Sequence, residues 1–217
     1  MPPMSQDTSY SVVSATIDDM GTASRLQFEA ISPTSPVDQA IYPLGMTDTA
    51  LAAATATKKR KFYDSNVQYK MVVASYGTDS KESQIVAFAR WYIWSEDRAA
   101  SVWDKPYSFS PEEGLAPADM NFTAAKTVYG TIGAFKGSAI YGRGCGRLLM
   151  AEAIHTAKLH GLDDIYLVST AAAFGWYKEF NFETVDTIPF DLVALTGKEV
   201  DEDFRWSNMY LLRTSPV

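Results

Sequence analysis

Apolar residues recur with a period of two in some segments of the chain and with a helical period in others. In the first half they predict a strand at residues 10–15 and a helix from Thr16 or Asp18 to about residue 30. A loop then extends to Gly45, and a second helix, which Thr47 caps, is predicted at residues 48–62. Two strands follow at residues 67–76 and 84–94. The polar turn between them, at residues 77–83, predicts a hairpin.

The second half begins with an irregular segment at residues 95–125, and a loop of this length is more often functional than accidental. The next elements are predicted in the order strand, helix, strand, helix, strand, strand, at residues 126–135, 146–160, 165–169, 171–180, 182–188 and 204–213. The whole order, β-α-α-β-β-β-α-β-α-β-β, combines hairpins with one βαβ crossover at residues 126–169. It predicts an α+β fold in which helices flank a mixed, mostly antiparallel central sheet.

Composition narrows the class of protein. The formal net charge of −7 over 217 residues argues against a nucleic-acid partner, because phosphate binding normally needs a basic surface. One cysteine and two histidines predict neither an internal disulfide nor a metal site. No apolar run reaches the length of a membrane span and no signal peptide is evident, so we expect a cytoplasmic protein without a membrane partner.

The chain shows no linker or repeat, so we expect one domain over residues 1–217, with residues 1–9 flexible and a homodimer left open. The basic cluster at residues 58–61 is interpreted as the end of the second helix, where cations complement the helix dipole.

A glycine-rich segment is the main candidate for chemistry. Glycines alternate at Gly142, Gly144 and Gly146, with Arg143 and Arg147 beside them, just before the helix at residues 146–160. Such glycines allow converging N–H groups, and a helix start adds unpaired N–H groups and a positive dipole end. The segment predicts a loop that binds a phosphate or pyrophosphate, with a ligand-free helix start as the alternative. It is neither a dinucleotide fingerprint nor a Walker loop, because the required third glycine and the Gly-Lys-Ser/Thr sequence are missing.

Two signatures together resemble the GCN5-related N-acetyltransferase (GNAT) superfamily, nearest to its fungal and bacterial small-molecule members. The family's pyrophosphate loop, Gln/Arg-x-x-Gly-x-Gly/Ala, is matched at Gly144 and Gly146 and departs at Tyr141. Its second signature, Leu-Tyr-x-x-x-Gly-Phe, is matched at Tyr177 and Phe182, with Asn181 in place of glycine. Asparagine is the non-glycine residue that best accepts a left-handed conformation, so this change is mild.

The resemblance implies an acyltransferase that uses acetyl-coenzyme A as its cosubstrate and has no metal. It assigns the pyrophosphate to the loop at Gly142, Arg143, Gly144, Cys145, Gly146 and Arg147, and the pantetheine arm to Gly133, Ala134 and Phe135. Ser169 matches a polar position that touches the cofactor, and Tyr177 matches the general acid. The implied reaction is transfer of the acetyl group to a small amine by direct attack in a ternary complex. Cys145 is then not needed as a nucleophile.

The sequence says less about the residues that would bind the amine substrate and about the general base. Trp91 and Trp103 are candidate walls of an acceptor pocket, with core packing as the alternative for such aromatic residues. No general base is assigned, although Glu112, Glu113 and Asp119 in the long segment are candidates, and His155 and His160 are interpreted as surface residues. Two other functions stay open: a GNAT-fold protein that binds coenzyme A or another ligand without catalysis, and a scaffold reused for other secondary-metabolite chemistry.

Overall fold

The computed structural model describes residues 8–31, 35–76, 83–93, 119–125, 127, 145–162, 164–197, 199 and 206–214. The strands are β1 (Thr8–Ser14), β2 (Val67–Tyr76), β3 (Ser83–Tyr92), β4 (Ile165–Thr170), β5 (Phe182–Asp191) and β6 (Trp206–Thr214). The helices are α1 (Met20–Ile31), α2 (Pro36–Ile41), α3 (Asp48–Phe62), α4 (Gly146–Leu159), α5 (Ala171–Lys178) and α6 (Leu192–Thr196), and a 3₁₀ turn, Ile17–Asp19, leads into α1.

The described strands form two antiparallel sheets of three strands each, in the orders β1-β2-β3 and β4-β6-β5. The hairpin prediction is confirmed, because β2 pairs with β3 antiparallel, although its turn lies outside the described residues. Register shifts between Val72 and Val73, and between Thr184 and Asp186, interrupt the two sheets. The combination of helices with antiparallel sheets confirms the predicted α+β class.

Local capping explains where several helices begin. The Thr47 hydroxyl oxygen accepts a hydrogen bond of 3.0 Å from the amide of Ala50, as predicted for the start of α3. Ser35 caps α2 by accepting from the amide of Asp38 at 3.1 Å, and Pro36 occupies the first helical position. The prediction of a continuous loop to Gly45 is therefore wrong, because a proline directly after a capping serine starts a helix rather than breaking one.

Three further boundaries differ from the predictions. Thr8 and Ser9 belong to β1, where they pair with Tyr76 and Ser75, so the predicted flexible N-terminus does not extend to residue 9. The segment predicted to be irregular contains a helical turn at residues 122–125, which the Asn121 side chain caps. Thr127 is also helical, so it does not belong to the strand predicted from residue 126. The rest of that predicted strand, residues 128–135, lies outside the described residues.

Helix α4 joins the two sheets in one core. Its buried residues Leu149, Met150 and Ala153 pack in a cluster that includes Val72 and Trp91 of the first sheet. The same cluster takes in the second sheet and α5 through Leu167, Tyr177, Phe182 and Leu212. The opposite face of the first sheet packs against Met20 and Ala23 of α1. Within the described ranges, no helix combines the length and the apolar run that a membrane crossing requires.

Candidate functional site

The first turn of α4 has amide groups that precede the first hydrogen bond of the helix among the described residues. Cys145 is the residue that caps the helix, and its side chain makes no capping hydrogen bond. The first bond along the helix, from the amide of Leu149 to the carbonyl of Cys145, measures 3.1 Å. The amides of residues 146–148 precede that bond, and such groups together with the helix dipole favour an anion.

Gly146 allows α4 to begin directly against α5. A Cβ atom on Gly146 would lie 3.0 Å from Cζ2 and 3.1 Å from Cη2 of Trp176, which is closer than a normal contact. The Trp176 ring in turn lies 4.9 Å from the ring of Tyr177 and 4.8 Å from that of Phe180, both edge to face. A larger residue at position 146 would therefore crowd the indole of the neighbouring helix, which would have to move by a few tenths of an ångström to accommodate it.

Arg147 links the same two helix ends through its side chain. Its Nη2 atom donates to Oε2 of Glu179, the residue that caps the C-terminus of α5. Its guanidinium carbon also lies 5.4 Å from the ring centroid of Phe180. The side chains of Arg147 and Glu179 are 63% and 51% exposed, so the ion pair lies at the surface. The predicted pyrophosphate-binding arginine is therefore in contact with a carboxylate of the protein itself.

Tyr177, the predicted general acid, is buried at the centre of this arrangement. Its relative exposure is 1%, and it shares a core cluster with Cys145 and Leu149 of α4. Its ring packs edge to face on Phe182, with 5.8 Å between centroids. Between α5 and β5 the chain turns through Asn181, whose φ of 61° confirms that this asparagine takes the left-handed conformation of the usual glycine.

Ser169 and Cys145 contribute small buried groups. Ser169 lies one residue before the end of β4, and its hydroxyl donates to the carbonyl of Thr170 at 2.8 Å. Its oxygen keeps lone pairs with which it could accept a hydrogen bond. Burial raises the pKa of the Cys145 thiol, which supports the interpretation of this residue as a small side chain in a tight turn rather than a nucleophile.

Trp91 is buried in the core cluster that α4 covers, with 6% of its surface exposed. Its indole Nε1 group is also buried and has no hydrogen-bond partner among the described residues. Core packing and a pocket wall both remain consistent with this position. Several predicted site residues lie outside the described residues, so their positions stay predictions: Trp103, Gly133, Ala134, Phe135, Gly142, Arg143 and Gly144.

Of the acidic residues considered as a general base, the structure describes Asp119. Asp119 accepts a hydrogen bond from the Thr47 hydroxyl, at the start of α3. His155 and His160 are exposed, in agreement with their interpretation as surface residues. Glu112 and Glu113 lie outside the described residues. In the described part of the chain, no three His, Cys, Asp or Glu side chains come close enough to hold a metal ion.

Sequence reasoning missed Lys58 as an unusual group. Lys58, in the predicted basic helix end, is only 5% exposed and donates a 2.6 Å hydrogen bond to Oε1 of Gln27. Its ammonium nitrogen lies 5.7 Å from the Phe88 ring centroid. Burial, with a further contribution from the Arg90 charge, lowers the pKa of Lys58 to about 7. No local sequence signal distinguishes Lys58 from its basic neighbours.

Glu179, the second residue that sequence reasoning missed, lies within the tyrosine signature but at a position that the signature leaves free. The sequence holds one indirect signal for the position of Glu179. Trp176 and Phe180 are four residues apart, which is the spacing of one helix face, and their rings lie on the side that meets α4. Glu179 directly precedes Phe180.

Comparison with known proteins gives similarity in structure but not in sequence. No protein-family model matches the chain, and no curated protein matches it. The chain is similar to a histone acetyltransferase HPA2 and related acetyltransferase from Corynebacterium glutamicum, with a TM-score of 0.52, 17% identity, and coverage of 96% of this chain and 97% of the other. An N-acetyltransferase from Staphylococcus aureus gives a TM-score of 0.52 at 14% identity, covering 95% and 98%.

A third similar structure is yncA from Salmonella typhimurium with its cofactor acetyl-CoA, at a TM-score of 0.51 and 13% identity, covering 95% of this chain and 93% of the other. In all three cases the similarity covers nearly the whole of both chains, so the shared feature is the complete fold rather than a single motif.

Proposed function

We propose that this chain, which has the fold of the GNAT superfamily, is an acetyl-CoA-dependent N-acetyltransferase that acts on a small amine. The main support is the contact of α4 with α5. The first turn of α4 offers amides that no Cys145 side chain caps, and it packs through Gly146 directly on the helix that carries Tyr177. An anion-binding helix start and a candidate proton donor therefore belong to one rigid unit.

The residues at the start of α4 fit the diphosphate of coenzyme A. The amides of Gly146 and Arg147 would hold it, with Gly142, Arg143 and Gly144 as the predicted remainder of the loop, and the Arg147 guanidinium is near enough in sequence to join them. Ser169 would contact the cofactor with its remaining lone pairs. When bound, acetyl-CoA supplies a thioester, which carries the acetyl group and releases a thiol.

Tyr177 would then supply the proton that the departing sulfur needs. A tyrosine hydroxyl has an ordinary pKa of about 10 and a cysteine-like thiol one of about 8.5, so the phenol is a suitable acid when held within hydrogen-bond reach. Its enclosure by Trp176 and Phe182 excludes water from one side of the ring. A backbone amide among residues 133–135, which the resemblance assigns to the pantetheine arm, would stabilise the oxygen that gains charge.

For the acceptor we propose an amine with an apolar body. The Trp91 indole N–H, buried and without a partner among the described residues, could donate to an oxygen atom carried elsewhere on the amine substrate. Trp103 would form the second wall of such a pocket. The net charge of −7 is compatible with the approach of a cationic amine. A cytoplasmic location would fit both acetyl-CoA and such a substrate.

A protein that binds coenzyme A without transferring the acetyl group is the second candidate. It is favoured by the 1% exposure of Tyr177 and by the pairing of Arg147 with Glu179, since an active site needs the first group reachable and the second available. Both candidates share the cofactor and differ only in turnover.

Thermal unfolding with and without acetyl-CoA tests the shared part of the proposal. A ligand at a hundred times its Kd adds about 2.7 kcal/mol to the free energy of unfolding. We expect a clear rise in Tm with acetyl-CoA and with coenzyme A, and none with adenosine alone. An unchanged Tm at millimolar acetyl-CoA would eliminate both candidates. Release of free thiol over a panel of small amines then separates the enzyme from the binding protein.

A further inference from the structure

Glu179 forms an ion pair with Arg147, the side chain that the diphosphate of the cofactor would need. We propose that Glu179 is an internal competitor for the diphosphate of coenzyme A: its carboxylate pairs with Arg147, and it gives up Arg147 when the diphosphate binds at the first turn of α4. Glu179 would in this way lower the affinity for the cofactor. The inference rests on the proposed function, because it takes coenzyme A as the ligand of that turn.

The position of Arg147 makes it the natural residue for such an exchange. It is the second residue of α4, beside amides that no side chain of Cys145 caps. Its Nη2 atom contacts Glu179 Oε2, and its guanidinium lies over the Phe180 ring. A guanidinium that contacts a ring with its face can still donate hydrogen bonds from the N–H groups at its edge. A carboxylate and a phosphate offer these N–H groups acceptor oxygens in similar geometry.

The strength of the two alternatives favours the cofactor. Both side chains of the pair are more than half exposed, and an ion pair between such groups is weak because water screens it. A diphosphate brings more negative charge than one carboxylate and can accept from the helix amides at the same time as from Arg147. The diphosphate should therefore displace Glu179, and the displacement should lower the net affinity for the cofactor.

The exchange would not disturb the helix that carries Tyr177. Trp176 still packs on Gly146, and Phe180 still contacts Trp176, when the Glu179 carboxylate turns away. Glu179 follows the last residue of α5, so its side chain can rotate into solvent without moving the helix. The proposal thus differs from a purely structural role, in which the ion pair would fix α5 and its loss would weaken binding.

Isothermal titration of the full chain with coenzyme A tests the exchange. We expect Glu179→Gln to bind coenzyme A about threefold more tightly, because an exposed competing charge is removed. Arg147→Gln should bind it about tenfold more weakly, because a charge-assisted contact with the diphosphate is lost. The double variant should bind like Arg147→Gln alone, since Glu179 acts only through Arg147. Glu179→Asp, which keeps the charge on a shorter side chain, should lie between wild type and Glu179→Gln.

Two controls make the result specific. Glu183→Gln removes the same charge from an exposed position that has no ion pair among the described residues, and its affinity should equal that of wild type. Acetyl-pantetheine lacks the diphosphate, so Glu179→Gln should not change its affinity or its KM. Tm values without ligand show whether each variant is folded.

The outcomes separate the two proposals. Unchanged or weaker binding of coenzyme A by Glu179→Gln, or a gain that persists in the Arg147→Gln background, would overturn the competitor role and leave the proposed function intact. If neither wild type nor Glu179→Gln binds coenzyme A, both proposals fall together.

Discussion

Two helix ends in this chain present cations to very different surroundings. Near the C-terminus of α3, Lys58 is buried beneath the first sheet, where it bonds the neutral amide of Gln27 and lies close to the positive charge of Arg90. At the N-terminus of α4, Arg147 is exposed and is paired with the carboxylate of Glu179. One cation is desolvated beside another positive charge, and the other is solvated with a partner of opposite charge.

The difference indicates what each region does. A buried cation without a compensating carboxylate shifts its own pKa, so its protonation depends on whether the chain is folded. An exposed pair contributes little to stability, and its members can change partners at small cost. We therefore expect changes around Lys58 to alter stability without altering chemistry. Changes at Arg147 should alter cofactor binding, and removal of the Tyr177 hydroxyl alone should alter the rate, without unfolding the protein.

The largest expected effect is that of Tyr177→Phe on turnover. Removal of the phenol hydroxyl should lower kcat roughly 100-fold or more, which is the usual contribution of a general acid. The Kd for acetyl-CoA should stay the same, because the ring still fills its place against Trp176 and Phe182. Steady-state kinetics and titration on the same preparation measure both quantities.

Tyr63→Phe is the matched control for this substitution. Tyr63 lies just after α3 and is 77% exposed, so loss of its hydroxyl should change neither kcat nor Tm. A Tyr177→Phe variant that keeps the wild-type rate would show that Tyr177 is not the general acid. The region of Arg147 and Tyr177 would then no longer differ from that of Lys58 by a role in turnover.

Lys58 should make the free energy of unfolding depend on pH. Its pKa is about 7 in the folded chain and 10.5 ordinarily, so between these values the unfolded chain binds more protons and the free energy of unfolding rises with pH. From pH 7 to pH 9 the rise should be on the order of 2 kcal/mol. Below pH 7 both states are protonated and this contribution is absent. Urea unfolding at several pH values measures the slope.

Substitution of two adjacent lysines isolates this effect. Lys58→Met should flatten the rise between pH 7 and pH 9, whereas Lys59→Met, at an exposed position, should keep it. An equal slope in the wild type and Lys58→Met proteins would mean that the lysine is not desolvated in solution. Neither variant should change the affinity for acetyl-CoA.

The fold could be predicted because its elements carry local signals. Thr47 caps α3, Gly161 follows α4 with a φ of 63°, and Asn181 takes a φ of 61° before β5. Each of these depends on one residue and its immediate neighbours, and the structural similarities confirm the fold that these elements predicted. The prediction failed at α2, which lies in the segment predicted as a loop to Gly45, although Pro36, directly after the capping Ser35, occupies the first helical position.

The contacts of the site could not be predicted to the same extent. Arg147 and Glu179 are 32 positions apart, and Lys58 and Gln27 are 31 apart, so nothing local in the sequence connects either pair. The signature of the family that the sequence resembles specifies a tyrosine, matched here by Tyr177, but it leaves position 179 unrestricted. Burial of Lys58 depends on how α1 packs on α3, which the helical pattern of either segment alone does not determine.

The smallest expected effect concerns two glycines of the α4–α5 region. Gly146→Ala places a methyl group 3.0 Å from the Trp176 ring, and this crowding should lower the free energy of unfolding by about 1 kcal/mol after the helix propensity of alanine is counted. Gly175→Ala, in the middle of α5, meets no atom within 4 Å and should raise it by roughly 0.5–1 kcal/mol. The two substitutions are chemically identical, so opposite signs in urea unfolding would isolate the contact with Trp176. If both variants gain stability, the helices are not in close contact at Gly146, and the proposed rigid unit that joins the first turn of α4 to Tyr177 would lose its physical basis.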